Sequence, residues 1–120
     1  MGAFQAVRSI LGGEITSEQL VSACITRISE REALVRAFVD LRPEQALERA
    51  RELDQRRPAA HEHLYGVPVA IKEAFDVSGF HCCWGTKIHA DRVASVDAAA
   101  VAKFKAAGAV IIGTTVATEY

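Results

Sequence analysis

Apolar residues recur along this chain with two alternating periods, and the changes of period predict its elements. Phe4, Val7, Ile10 and Leu11 fall at helical spacing and stop at Gly12-Gly13. Thr16 and Gln19 fit a capping box, in which the hydroxyl covers an open amide of the first turn. Leu20, Val21, Cys24, Ile25 and Ile28 then make one apolar face of a second helix, which places Cys24 in the core. Val35 to Leu41 is a short candidate strand. Pro43 suits the first turn of a third helix, whose stripe is Ala46, Leu47, Ala50 and Leu53. Arg56 to His63 is a polar connection.

The strongest β signal is Val67 to Ile71, a short apolar run that reads as a strand covered on both faces. Phe75 to Ile88 is irregular. Ser95 or Asp97 can cap a helix from about Ala98 to Ala107, and Gly108 closes it in the left-handed cap position. Ala109 to Gly113 is a second buried strand. Strand, helix, strand over about residues 67–113 predicts a βαβ unit with parallel strands and a right-handed crossover. The fold class is therefore α/β, and 120 residues suggest one domain or part of one.

Charge and cysteine content narrow the function classes. The formal net charge is -1, which gives no electrostatic case for nucleic acid or an anionic membrane. Arg49, Arg51, Arg56 and Arg57 alternate with Glu44, Glu48, Glu52 and Asp54, as a solvated helix face does. No apolar run is long enough to span a bilayer, and the first residues do not read as a signal peptide. Three cysteines, two of them adjacent, do not suggest a disulfide framework. A reducing, cytoplasmic setting is the expectation.

Lys72 is the leading candidate for chemistry. It follows directly on the Val67–Ile71 strand, and burial at a strand end disfavours an ammonium ion, turning lysine into a possible general base. Glu73 is adjacent, but alternate residues of an extended chain point to opposite faces, so it reads as a supporting or structural group. His61, His63, His81, Cys82 and Cys83 do not have the spacing of a four-ligand zinc site. Cys82 and Cys83 read as packing residues near a pocket. Gly108 and Gly113 do not make a phosphate-binding fingerprint, because the order is helix, glycine, strand.

The wording GVPVAIKEAFDVSG, followed by DAAAVAKFKAAGAVIIGTTVATEY and preceded by ITSEQLVSACITRI, resembles the amidase signature family of serine hydrolases. The likeness runs from about residue 15 to 120 and is most specific at Leu64–Gly79 and Asp97–Tyr120. It implies the amino-terminal part of that fold, a mixed sheet flanked by helices. It implies hydrolysis of a carboxylic amide through an acyl-serine, with Lys72 as the lysine of a Ser–Ser–Lys triad and no metal or organic cofactor. The two serines of that triad belong to a Gly/Ser-rich segment that residues 1–120 do not contain, and Ser78 and Ser95 lack that context. The expectation is thus a partial amidase domain that is inactive by itself. Its substrate in the complete enzyme would be a small-molecule amide, and it could form a homo-oligomer. A non-catalytic or degenerate fragment and a small interaction module are the alternatives. Thr114 and Val116 stand where the family commonly has lysine and asparagine. These departures lean away from the A-subunit of a transfer-RNA-dependent amidotransferase.

Overall fold

A computed structural model describes residues 1–117. The elements are α1 (Ala3–Leu11), α2 (Ser17–Val35), β1 (Phe38–Leu41), α3 (Pro43–Asp54), β2 (Pro68–Lys72), α4 (Ala99–Ala106) and β3 (Val110–Thr115), with a short 3₁₀ turn at Lys87–His89. The strands form one mixed sheet in the order β1-β3-β2. β2 runs parallel to β3, with Pro68 opposite Val110 and Lys72 opposite Thr115; β1 runs antiparallel to β3, with Leu41 opposite Gly113. The predicted parallel βαβ unit is present, and its two strands are direct neighbours.

The sheet separates two cores. On one face, Val21 from α2 and Ala46, Ala50 and Leu53 from α3 pack with Tyr65, Val110 and Ile112. Cys24 is half-buried against this cluster, as its place on the apolar stripe predicts. On the other face, Ile71, Val77, Phe80, Cys82, Ala94 and Val101 form the second cluster, with α4 as its cover.

The helix ends explain much of the framework. The Thr16 hydroxyl accepts from the Gln19 amide at 3.0 Å and the Gln19 side chain accepts from the Thr16 amide at 2.9 Å, a complete capping box. Asp54, at the far end of α3, accepts from the amides of Ser17 and Glu18 at 2.8 and 2.9 Å. A carboxylate there satisfies open donors and meets the positive end of the helix. Gly108 has φ +88°, and a Cβ added to it would sit 2.9 Å from Cα of Tyr65. The amides of Gly108 and Ala109 close the end of α4 on the carbonyls of Lys105 and Phe104.

Three expectations need correction. The candidate strand at Val35–Leu41 starts only at Phe38, because α2 continues through Val35. The Glu32 carboxylate, one turn before the end of α2, accepts from the amides of Ala37 and Phe38, both at 2.8 Å. Arg36 takes a left-handed φ of 51° to make that turn. Neither Ser95 nor Asp97 caps α4, whose N-cap is Ala98. Asp97 instead accepts from the Ser78 amide at 2.8 Å and from the Lys105 ammonium at 2.9 Å. Finally, β2 is not covered on both faces: Ile71 is buried, but Ala70 and Lys72 are exposed. α3 lies over β3 and α2 reaches β2, yet Ala70 and Lys72 are left open.

Candidate functional site

Lys72 is the last residue of β2, at the carboxyl end of the parallel pair, where parallel α/β sheets commonly carry ligands. Its side chain is exposed. Its carbonyl accepts from the Phe75 amide at 3.0 Å, which turns the chain away from the sheet. Among the described residues no carboxylate lies within ion-pair distance of its ammonium. The burial that would turn this lysine into a base is not supplied by residues 1–117.

Glu73 behaves in the opposite way. It is 3% exposed, beside a lysine that is open to solvent, so the two side chains diverge as strand alternation requires. Its amide donates to the Thr115 carbonyl at 2.8 Å, adding one rung beyond β2. Its carboxylate accepts from the Cys83 amide at 3.0 Å and from the Ala117 amide at 3.2 Å. One buried side chain therefore joins the end of β2, the loop after it and the segment after β3.

That loop is held by a second set of contacts. The Thr86 amide donates to the Cys83 carbonyl at 3.1 Å around Trp84 and Gly85, whose φ values are +53° and +73°. Left-handed φ is unusual for tryptophan and carries backbone strain. The guanidinium of Arg92 stacks 4.1 Å from the Trp84 ring and forks onto Asp76 at 2.6 and 2.7 Å. Those bonds, with a further one from Trp84, hold the Asp76 carboxyl below its ordinary range. The loop and Glu73 border a shallow depression of about 290 Å³ that also touches Val39, Cys83 and Val116. Lys72 stands outside it.

The remaining candidates fall into structural roles. Cys82 is fully buried, and its Sγ accepts from the Val77 amide at 3.4 Å. Cys83 is buried with Sγ directed at the Ala90 carbonyl, 3.3 Å away. Burial raises both thiols above their ordinary value, against use as thiolates. His81 is anchored through its amide and its Nδ1 to Asp40, at 2.8 and 2.9 Å. Burial pushes the Asp40 carboxyl up, but hydrogen bonds from Arg42 and His81 outweigh it and hold this group well below the carboxylate range. The buried Thr114 hydroxyl donates to the His81 carbonyl at 2.8 Å. The Ser78 hydroxyl donates to the Ser95 carbonyl at 3.2 Å, and both serines are exposed. Among the described residues no group of three or more His, Cys, Asp or Glu could hold a metal ion. Thr118, Glu119 and Tyr120, which end the family wording, lie outside the described residues.

The sequence pattern of the amidase family matches residues 19–120. The chain is 37% identical over 116 residues to the A-subunit of glutamyl-tRNA(Gln) amidotransferase from Oleidesulfovibrio alaskensis, covering 97% of this chain and 24% of that protein. Among solved structures, the peptide amidase of Stenotrophomonas maltophilia superposes with a TM-score of 0.84 at 26% identity, over 96% of this chain and 24% of its own. An inhibitor-bound chain, from a vestigial protein complex that bears on the origins of an s-triazine catabolic enzyme, superposes at 0.90 with 29% identity. That match covers 99% of this chain and 27% of the other. The chain belongs to the amidase family and has the fold of the corresponding part of amidase signature enzymes. It spans about a quarter of the length of the curated relatives it matches.

Proposed function

We propose that this chain carries the lysine-bearing part of an amide hydrolase, with Lys72 as the proton acceptor of a Ser–Ser–Lys triad. The observation that supports this reading is the position of Lys72 at the carboxyl end of β2, in a chain that superposes on amidase signature enzymes over 99% of its length. In the proposed reaction a neutral Lys72 takes a proton relayed through a bridging serine. The nucleophilic serine, losing its proton, adds to the amide carbonyl, and backbone amides stabilise the oxyanion. The amine leaves with a proton returned through the same relay, and water then releases the acid. Residues 1–117 contribute one of the three groups. Any amide hydrolysis therefore needs the serine-bearing part of the domain, which would also cover the Lys72 face of β2.

The test is kinetic, in a polypeptide that holds the serines as well. Lys72→Ala and Lys72→Arg should both lower kcat/KM, each by roughly 10²–10⁴-fold, the usual contribution of a positioned base. Arginine stays protonated and cannot accept the relayed proton. An arginine variant with most of its activity would end the general-base role. The name of the relative from Oleidesulfovibrio alaskensis favours a second reading, in which the amide is glutamine and the released ammonia feeds an amidotransferase. Comparing turnover of glutamine with that of aryl and alkyl amides separates the two.

A further inference from the structure

The first half of β3 borders a cavity that the amide-hydrolysis reading does not use. β1 pairs only with residues Gly113–Thr115 of β3, and beyond Leu41 the chain turns into α3 by way of a bond from the Arg42 amide to the Ile112 carbonyl, 2.9 Å. Next to that turn lies a space of about 300 Å³. Its floor is apolar, made by Phe80 and Ile111, and its rim carries Gln45, Arg49, Ser78 and Lys105. It sits toward the opposite end of β3 from Thr115, the partner of Lys72; at the rise of an extended strand, the stretch from Ala109 to Thr115 spans roughly 20 Å.

The polar groups on the rim are not equivalent. Lys105 gives its ammonium to both oxygens of Asp97, at 2.9 Å each, so its charge is already matched. Arg49 has only a 3.5 Å contact with Glu52 among the described residues, and both side chains are well exposed. Such a pair is weak and leaves most of the guanidinium donors available. Gln45 lies four residues earlier on the same helix and therefore on the same face as Arg49. Phe80 is fixed in the floor by the Arg42 guanidinium, 4.9 Å from its ring centre. A planar cation and an amide on one helix face, beside the apolar Phe80 and Ile111, match a ligand with a planar anion and an apolar body.

We infer that this cavity binds a small apolar carboxylic acid, its carboxylate forked by Arg49 and its body on Phe80 and Ile111. The class includes acids of the kind that amide hydrolysis releases, but the site stands on its own residues and holds whether or not Lys72 is a base.

The experiment is binding of benzoate to the full chain, followed by calorimetry and by chemical-shift changes, with benzamide as the neutral analogue of the same shape. Benzoate should bind at least about tenfold more tightly than benzamide, the effect of one charge-assisted contact at an exposed rim. Arg49→Gln should remove that difference. Arg57→Gln, which removes the same charge outside this cavity, should leave it intact. Acetate should bind more weakly than benzoate, because it lacks the apolar body. Equal affinity for benzoate and benzamide, no saturable binding of benzoate, or an Arg49→Gln chain that still prefers benzoate would each overturn the assignment. The benzoate–benzamide comparison uses the unaltered chain and decides the matter even if Arg49→Gln folds poorly. Amide turnover is not read in any arm, so these results do not depend on the role of Lys72.

Discussion

β3 and β2 are neighbours of similar composition, yet they live in different environments. β3 has a strand on each side and is buried at Val110, Ile112, Gly113 and Thr114. Among the described residues β2 has a partner on one side only, and of its five residues Ile71 alone is buried. A run of apolar residues identifies a strand, but it does not tell a central strand from an edge strand. The difference places tolerance to change in β2 and intolerance in β3, and places Lys72 on the tolerant side.

The sharpest break of this contrast is at Gly113. A Cβ there would stand 2.2 Å from the Asp40 carbonyl oxygen and 3.1 Å from Cα of Leu41, so β1 and β3 could not keep their register. Gly113→Val should destabilise the chain by about 3 kcal/mol or more, within the range of severe overpacking. Ala70→Val, on the exposed face of β2, should stay within about 0.5 kcal/mol. Denaturant unfolding followed by circular dichroism measures both. Comparable losses would show that the two strands are equally constrained.

Glu73 tests the boundary between the two environments. Glu73→Ala leaves the amides of Cys83 and Ala117 without their acceptor in a buried place, at a cost of about 2–3 kcal/mol. Glu73→Gln keeps one acceptor oxygen and should cost less. Amide hydrogen exchange at Cys83 and Ala117 should rise in the alanine variant. If it does not, these amides are held by something other than this carboxylate.

Glu73 also shows where reading the sequence stops. Its divergence from Lys72 follows from strand alternation, but its partners lie 10 and 44 residues away, and no local pattern points to them. Capping at Thr16 and Gln19 is legible because both halves of the box sit within four residues. The parallel pairing of β2 and β3 is legible because a helix separates two apolar runs. Asp97 reads as a cap because it stands just before that helix, while its real partners, Ser78 and Lys105, are brought together only by the fold. Lys72 can be located from the family wording, while its exposure depends on what packs against β2.

Acid should loosen the polar connection before the cores. Hydrogen bonds from Arg56 and from the Ala59 amide hold Glu62 down at about 2, from an ordinary 4.5. Asp40, held by Arg42 and His81, is also lowered from its ordinary 3.8. The unfolded chain therefore takes up protons first as pH falls; the stability from Glu62 is complete above about 4.5 and lost on the way down to about 2, and Asp40 acts in the same direction. Thermal melts across that window should show a falling Tm, with a shallower fall in Glu62→Gln. An unchanged slope in that variant would mean that Glu62 and Arg56 add nothing to stability.

The smallest expected effect is at the residue proposed above as the base. Lys72 is exposed, its neighbour on the same face, Ala70, is exposed too, and no described carboxylate pairs with it. Its backbone carries the rung to β3, which any residue can supply. Removing the side chain exposes no buried partner and leaves no cavity, so Lys72→Ala should change stability by less than about 0.5 kcal/mol. The same substitution is expected to abolish most turnover once the serine-bearing part is present. A large loss of stability in the 120-residue chain would show that Lys72 holds the end of β2 in place. The kinetic cost of losing it would then say little about proton transfer.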